Sequence, residues 1–268
     1  MTLGPFRDAL DATVVLPAPP QRIVSLVPSI TEILFTLGVG DAVAGCTIYC
    51  TQPPDGVAAK TRVGGEKNPR LELIRDLGAD LVIANVEENV REHVETLRGW
   101  GIPVYVAYPR TVAEGIRLVR ELGDLTGAPE QGASLAASLA ARLASVRAGG
   151  PRPTRVFCPI WRNPYMTLNR DTYAHDMLAV CGGDNVFGDR PPRYPTVTLD
   201  EVAAAAPDVI LLPDEPYRFR RAHLADFAPH AEIPAVRGGR IHLVDGKLLT
   251  WYGPRIGEAL RVLPGLLR

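Results

Sequence analysis

Apolar positions along the chain fall into short runs separated by longer stretches with helical spacing. Residues 22–27, 80–85, 103–107, 155–160, 208–212 and 240–244 read as strands, and helical patterns lie between most of them. Strand–helix alternation predicts parallel sheets with helices outside. Residues 129–148 differ. Leu135, Leu139, Leu143 and Val146 recur at spacings of three or four in an Ala/Leu/Ser-rich stretch closed by Gly149, Gly150 and Pro151. This predicts one helix of about 20 residues, about 30 Å long, at the midpoint of the chain.

The two halves resemble each other. Leu71-Glu72 followed by Asp80-Leu81-Val82-Ile83 recurs 128 residues later as Leu199-Asp200 followed by Asp208-Val209-Ile210-Leu211. Gly40-Asp41-x-Val43-x-Gly45 recurs as Gly183-Asp184-x-Val186-x-Gly188, and Arg22-Ile23-Val24 opens one half as Arg155-Val156-Phe157 opens the other. Three matches in the same order imply related lobes. The predicted fold is therefore α/β, with two Rossmann-like lobes containing parallel sheets and bridged by one long α-helix. An N-terminal lobe with a leading segment takes residues 1–127, the helix 128–150, and a C-terminal lobe 151–268. A ligand is expected between the lobes, near strand C-terminal ends. Asn68-Pro69 reads as an N-cap with proline at the first helical position. Thr198-Leu199-Asp200-Glu201 reads as a capping box. Glu72 and Asp200 then occupy the first turns of equivalent helices, where compensation of the helix dipole, ~0.3–1 kcal/mol each, accounts for them singly.

Composition narrows the function. The 268 residues carry a net charge of -1, with 46% hydrophobic and 22% charged. The balance argues against a nucleic-acid partner, and no apolar run approaches the ~18–20 residues of a membrane span. The first ten residues show no basic segment and no apolar core, so the sequence as written predicts a cytoplasmic protein, or a periplasmic or cell-surface one if a leader is missing from it. Cys46, Cys50, Cys158 and Cys181 read as buried small apolar residues, and the C-x3-C spacing of the first two is a weak zinc signal. No G-x-S-x-G, G-x-x-x-x-G-K-[ST] or H-E-x-x-H motif occurs, so no enzyme class is indicated.

The opening Pro19-Pro20-Gln21-Arg22-Ile23-Val24-Ser25-Leu26-Val27-Pro28-Ser29-Ile30-Thr31-Glu32 resembles the helical-backbone (class III) substrate-binding proteins of ABC importers for cobalamin, haem and iron–siderophores. So do Leu37-Gly38-Val39-Gly40-Asp41, Val63-Gly64-Gly65, Cys181-Gly182-Gly183-Asp184-Asn185-Val186-Phe187 and Trp251-Tyr252-Gly253-Pro254-Arg255-Ile256, in order across residues 20–265. The vitamin B12-binding branch is the most similar. The resemblance implies a monomeric, non-enzymatic receptor with no intrinsic cofactor that holds cobalamin, haem or an iron–siderophore. It also implies that Glu72 and Asp200 dock to arginines on importer membrane subunits. Tyr49 matches an aromatic ligand contact of the B12 branch, and Tyr194 stands where that branch has a tryptophan. Glu66, Lys67, Lys247 and Trp251 depart from its pattern. The family disulfide starting at the Cys-Gly-Gly motif has no partner for Cys181, which fits a reducing compartment. The alternative is a cytoplasmic corrinoid or tetrapyrrole carrier, sensor or enzyme that kept the fold without transport.

Three loops carry the remaining candidates. In residues 161–176, Trp161 and Tyr165 suit stacking on a flat ligand and Arg162 and Arg170 suit carboxylate or phosphate. His175 suits cobalt or iron, although a solvated or loop-bracing role is the commoner one and no metal site is assigned. Glu88, beside Glu87, follows a strand, and Asp214-Glu215-Pro216-Tyr217 is its counterpart; with Glu66 they form an acidic rim, or merely compensate helix dipoles. Trp251, with Tyr252 and Lys247, is the leading stacking candidate, or else a core anchor beneath its loop.

Overall fold

The strands Ile23–Ser25, Leu81–Asn85 and Val104–Ala107 are apolar up to the terminal Ser25 and Asn85 and buried along their whole length. Such runs belong inside a parallel sheet whose two faces are both covered. The computed structural model describes residues 3–146 and 153–268. It places these three strands in a five-stranded sheet ordered Thr61–Arg62, Val43–Cys46, Ile23–Ser25, Leu81–Asn85, Val104–Ala107, with every neighbouring pair parallel. Val24, Val82 and Val104 from the strands meet Ile74, Val94 and Leu97 from the helices in one core. A second sheet is ordered Gly183–Asn185, Thr154–Phe157, Val209–Pro213, Ile241–Val244, again all parallel. Phe157, Ile210 and Leu212 pack there with Val202, Phe219 and Phe227.

The chain divides into two compact units. One comprises Met1–Pro109, Ala113–Leu139 and Tyr252–Pro254; the other comprises Arg110–Val112, Ala140–Trp251 and Arg255–Arg268. Apart from Thr61–Arg62, an extra edge strand of the first sheet, the two sheets have the same internal order. The first strand of the repeat lies centrally, the second on one side of it, the third on the other side, and the fourth beyond the third. The Leu-acid motif falls on matching elements: Leu71–Asp76 and Leu199–Ala205 are the helices that precede Leu81–Asn85 and Val209–Pro213. The glycine motif does not, since Gly40–Ala42 is a 3-10 turn before its strand whereas Gly183–Asn185 is itself a strand.

Several elements differ from the sequence reading. Val43–Cys46 and Gly183–Asn185 are strands that the apolar pattern did not show, because both are glycine-bearing and short. Residues 3–16 hold an antiparallel hairpin, Leu3–Arg7 with Thr13–Leu16. The buried Asp8 carboxylate at its turn accepts from the Leu10 and Ala12 amides, each at 2.9 Å, and pairs with Arg98. The mid-chain helix runs Pro129–Ser145, and its expected Gly-Gly-Pro stop lies outside the described residues. A separate helix, Val112–Thr126, precedes it. The two approach closely at Gly123 and Gly132, where a Cβ on Gly123 would stand 2.8 Å from the Gly132 Cα. Asn68 is not a cap: Gly64 and Pro69 form a bridge, the Arg70 amide donates to Val63, and the helix starts at Leu71 with no side-chain cap. The capping box at Thr198 is present in full.

Candidate functional site

Parallel strands end on a common edge of their sheet, so the loops leaving them are brought together there. In the first unit these loops are tied to one another. The Ile48 amide donates to the Gly64 carbonyl at 2.9 Å. Asn89 is buried; its amide donates to the carbonyls of Leu26 at 3.3 Å and Glu66 at 3.1 Å, and its Oδ1 accepts from the Asn85 amide at 2.8 Å. Lys67 donates to the Glu87 carbonyl. The Asn85 side chain donates to the Tyr252 hydroxyl at 3.3 Å. Tyr49, Glu66, Lys67, Glu88 and Tyr252 therefore share one braced edge, but in different states. Tyr49 is 56% exposed, Lys67 is exposed, Glu66 and Glu88 are half-buried, and Tyr252 is buried. The Tyr49 ring lies over Gly65, where a Cβ would come within 3.5 Å of it.

In the second unit, Trp161 is 44% exposed and meets Tyr217 edge-on, with ring centroids 5.5 Å apart. Tyr217 meets Phe219 at 4.8 Å, and Phe219 stacks on Tyr165 at 6.3 Å. The aromatic series thus runs from solvent into the core, and Tyr165, 9% exposed, is at its inner end. Asp226 anchors the group from the segment Arg221–Phe227. It accepts from Arg162 Nε at 2.6 Å and Nη2 at 2.9 Å, and from the Tyr165 hydroxyl at 2.6 Å. The Arg162 and Tyr165 hydrogen bonds hold the Asp226 carboxyl below the usual carboxylate range, while burial pushes the Tyr165 phenol up. Tyr194, 37% exposed, precedes the strand Thr196–Val197, which pairs with Tyr165–Met166. The Arg193 guanidinium lies 5.8 Å from its ring centroid.

Not every candidate joins these groups. Trp251 is only 7% exposed, and Lys247 Nζ, on the short helix Lys247–Thr250, lies 5.6 Å from its ring centroid. Glu215 lies in the same cluster, 3.2 Å from Thr250 Oγ1 and 3.9 Å from Lys247 Nζ, and burial raises its pKa. Arg170 lines a recess of about 430 Å³ with Arg155, His175 and Asp184, and pairs with Asp189. His175 Nδ1 is 3.3 Å from Asn185 Nδ2, and burial holds its pKa below the ordinary imidazole value. Among the described residues no group of three or more His, Cys, Asp or Glu could hold a metal ion. Glu72 and Asp200 are exposed in the first turns of their helices. Nothing in the sequence pointed to Asp226, 64 residues from Arg162, and Tyr217 was visible only as part of an acidic loop.

A family model described as periplasmic binding protein matches residues 23–248. The chain belongs to the periplasmic binding protein family. It is 28% identical to the vitamin B12-binding protein of Vibrio cholerae serotype O1, over 91% of this chain and 88% of that protein. The crystal structure of the periplasmic vitamin B12 binding protein BtuF of Vibrio cholerae superposes with a TM-score of 0.83 at 27% identity, covering 94% of this chain and 98% of that one. The periplasmic heme-binding protein RhuT from Roseiflexus sp. RS-1 superposes with a TM-score of 0.78 at 27% identity, over 93% and 100%. A periplasmic binding protein binds a small molecule and is not an enzyme. Membership also withdraws support from the cytoplasmic expectation, since these relatives are named as periplasmic. No helix among the described residues is long and apolar enough to cross a membrane.

Proposed function

We propose that this periplasmic binding protein captures a corrinoid, or a related metal chelate such as haem or an iron–siderophore, in the periplasm or at the cell surface, and delivers it to an ABC importer. The observation that carries the reading is the set of solvent-facing aromatic residues on strand-end loops, Tyr49 in one unit and Trp161 and Tyr194 in the other. They occur in a chain that matches a vitamin B12-binding protein over 91% of its length. A bulky chelate has broad faces for stacking and a polar periphery. Tyr49 supplies a stacking face on one unit, where Lys67, Glu66 and Glu88 orient the periphery, and Trp161 and Tyr194 supply stacking faces on the other. Tyr165, Tyr252, Trp251 and Arg162 act as supports, since their rings are buried or their polar groups are engaged. Arg170 is assigned no ligand contact.

Delivery rests on Glu72 and Asp200. Both are exposed and occupy matching helices of the two repeats. Capping does not explain Asp200, because Thr198 and Glu201 complete the box between themselves, at 2.8 and 3.2 Å. Absorbance titration with hydroxocobalamin, cyanocobalamin, haem and a ferric siderophore tests the capture step. Saturable binding of one chelate supports it, and a flat response to all of them contradicts it.

A further inference from the structure

The loop carrying Tyr49 has a cysteine at each side. Cys46 ends the strand Val43–Cys46, and Cys50 follows Tyr49 directly. Both are fully buried, together with Val57 and against Phe35. The chain folds back between them, with the Cys50 amide donating to the Thr47 carbonyl at 3.2 Å. The two side chains pack in the same buried cluster. Around them, Thr31 Oγ1 is 3.1 Å and Thr47 Oγ1 3.2 Å from Cys50 Sγ. Arg62 donates to Cys46 Sγ at 3.2 Å and to the Thr47 and Cys50 carbonyls at 2.9 and 2.8 Å. Cys158 and Cys181 lack such surroundings: burial alone acts on each, and it pushes both thiols up to about 12.

We propose that Cys46 and Cys50 close a reversible disulfide that staples the Tyr49 loop. Two cysteines packed in one cluster across a folded-back turn, with Arg62 bonded to both, need only side-chain rotation and a small loop shift to reach bonding geometry. The neighbouring Cys50 and the Arg62 charge hold the Cys46 thiol below its ordinary range, which makes it the attacking group, while Cys50 is pushed up by the neighbouring Cys46 and by burial. The oxidant is another disulfide, either a small one such as oxidised glutathione or that of a thiol oxidase. Cys46 gives up its proton and attacks one sulfur of that disulfide, expelling one thiolate, which is protonated. Cys50 then gives up its proton and attacks Cys46 Sγ, expelling the second thiolate, which is also protonated. Two protein thiols are oxidised to one disulfide, and the oxidant is reduced to two thiols. Ile48 and Tyr49 are exposed, so the reagent reaches the thiols when this loop opens, with the sheet intact.

A staple spanning so few residues constrains little of the unfolded chain. Its effect is local, on the segment held to Gly64 by Ile48 and resting on Gly65 through Tyr49. The consequence for the ligand rests on the reading above: a pre-ordered Tyr49 binds a stacking ligand several-fold more tightly when the pair is oxidised. The test uses the full chain in a graded series of oxidised and reduced glutathione, followed by acid quench, denaturation, alkylation and mass analysis. The proposal predicts that Cys158 and Cys181 alkylate throughout, while Cys46 and Cys50 become protected together in a single bridged peptide. A Cys158→Ala/Cys181→Ala variant, which keeps only the proposed pair, must oxidise over the same range. Cys50→Ala must give a glutathione adduct on Cys46 in place of the bridge. Four alkylated cysteines across the whole series, or a bridge that includes Cys158 or Cys181, would overturn it. The thiol count does not require a ligand, so failure of the chelate reading leaves this result readable by itself.

Discussion

Arg162 and Asp226 show how far a single residue's role depends on its partner. In isolation Arg162 suits a ligand carboxylate, but a two-point bond commits it to Asp226. Replacing Asp226 with Asn is expected to cost about 1–2 kcal/mol, since a charge-assisted pair is lost from a partly exposed site. The pH dependence has a definite sign. Asp226 is depressed in the folded state, so its stabilisation is fully present above the unfolded value of about 3.9 and is lost as pH falls through the lower folded value. Urea midpoints of wild type and Asp226→Asn should therefore differ at pH 7 and converge below about pH 3.9. A constant difference would show that the carboxylate charge is not what matters. The sequence could indicate that Trp161 belongs to a strand-end loop, because it directly follows a predicted strand; it could not do so for Tyr49, whose preceding strand Val43–Cys46 carries no apolar run. It could not indicate Asp226, which arrives from a distant segment. Nor could it show that Trp251 is covered, since burial of one ring depends on how the loop packs in three dimensions.

At the scale of elements, local chemistry was legible where it was self-contained. Thr198 and Glu201 cap their helix as the spacing predicts. Replacing Thr198 with Ala should cost about 1 kcal/mol in urea unfolding, while Asp200→Ala, outside the box, should cost much less. Equal losses would mean that Asp200 is structural. Asn68-Pro69 misled because a bridge from Gly64 to Pro69 holds that segment extended. Gly64 itself has φ +107, and a Cβ there would lie 2.7 Å from the Asn68 carbonyl oxygen. Gly64→Ala should destabilise the fold by about 1–3 kcal/mol, which thermal unfolding would read directly. The short strands Val43–Cys46 and Gly183–Asn185 escaped notice because neither offers an apolar run, although both overlap the repeated glycine motif that marks the related halves.

For the molecule as a whole, the repeat is the most informative feature. Two sheets with one strand order place Glu72 and Asp200 on corresponding helices. A Glu72→Ala/Asp200→Ala protein should bind its ligand as tightly as wild type yet fail to stimulate ATP hydrolysis by the reconstituted importer. Undiminished stimulation would remove the docking role. The fold class was readable from strand–helix alternation and the repeated motifs, since these report backbone periodicity. Ligand identity was not, because Glu66, Lys67 and Trp251 depart from the B12-branch pattern. The most direct measurement of the central claim is calorimetric titration of hydroxocobalamin and haem into wild type, Tyr49→Ala and Trp161→Ala. The account predicts saturable binding of at least one chelate to wild type, weakened about tenfold by each substitution, with folding unchanged. Binding of equal strength in all three proteins would contradict it.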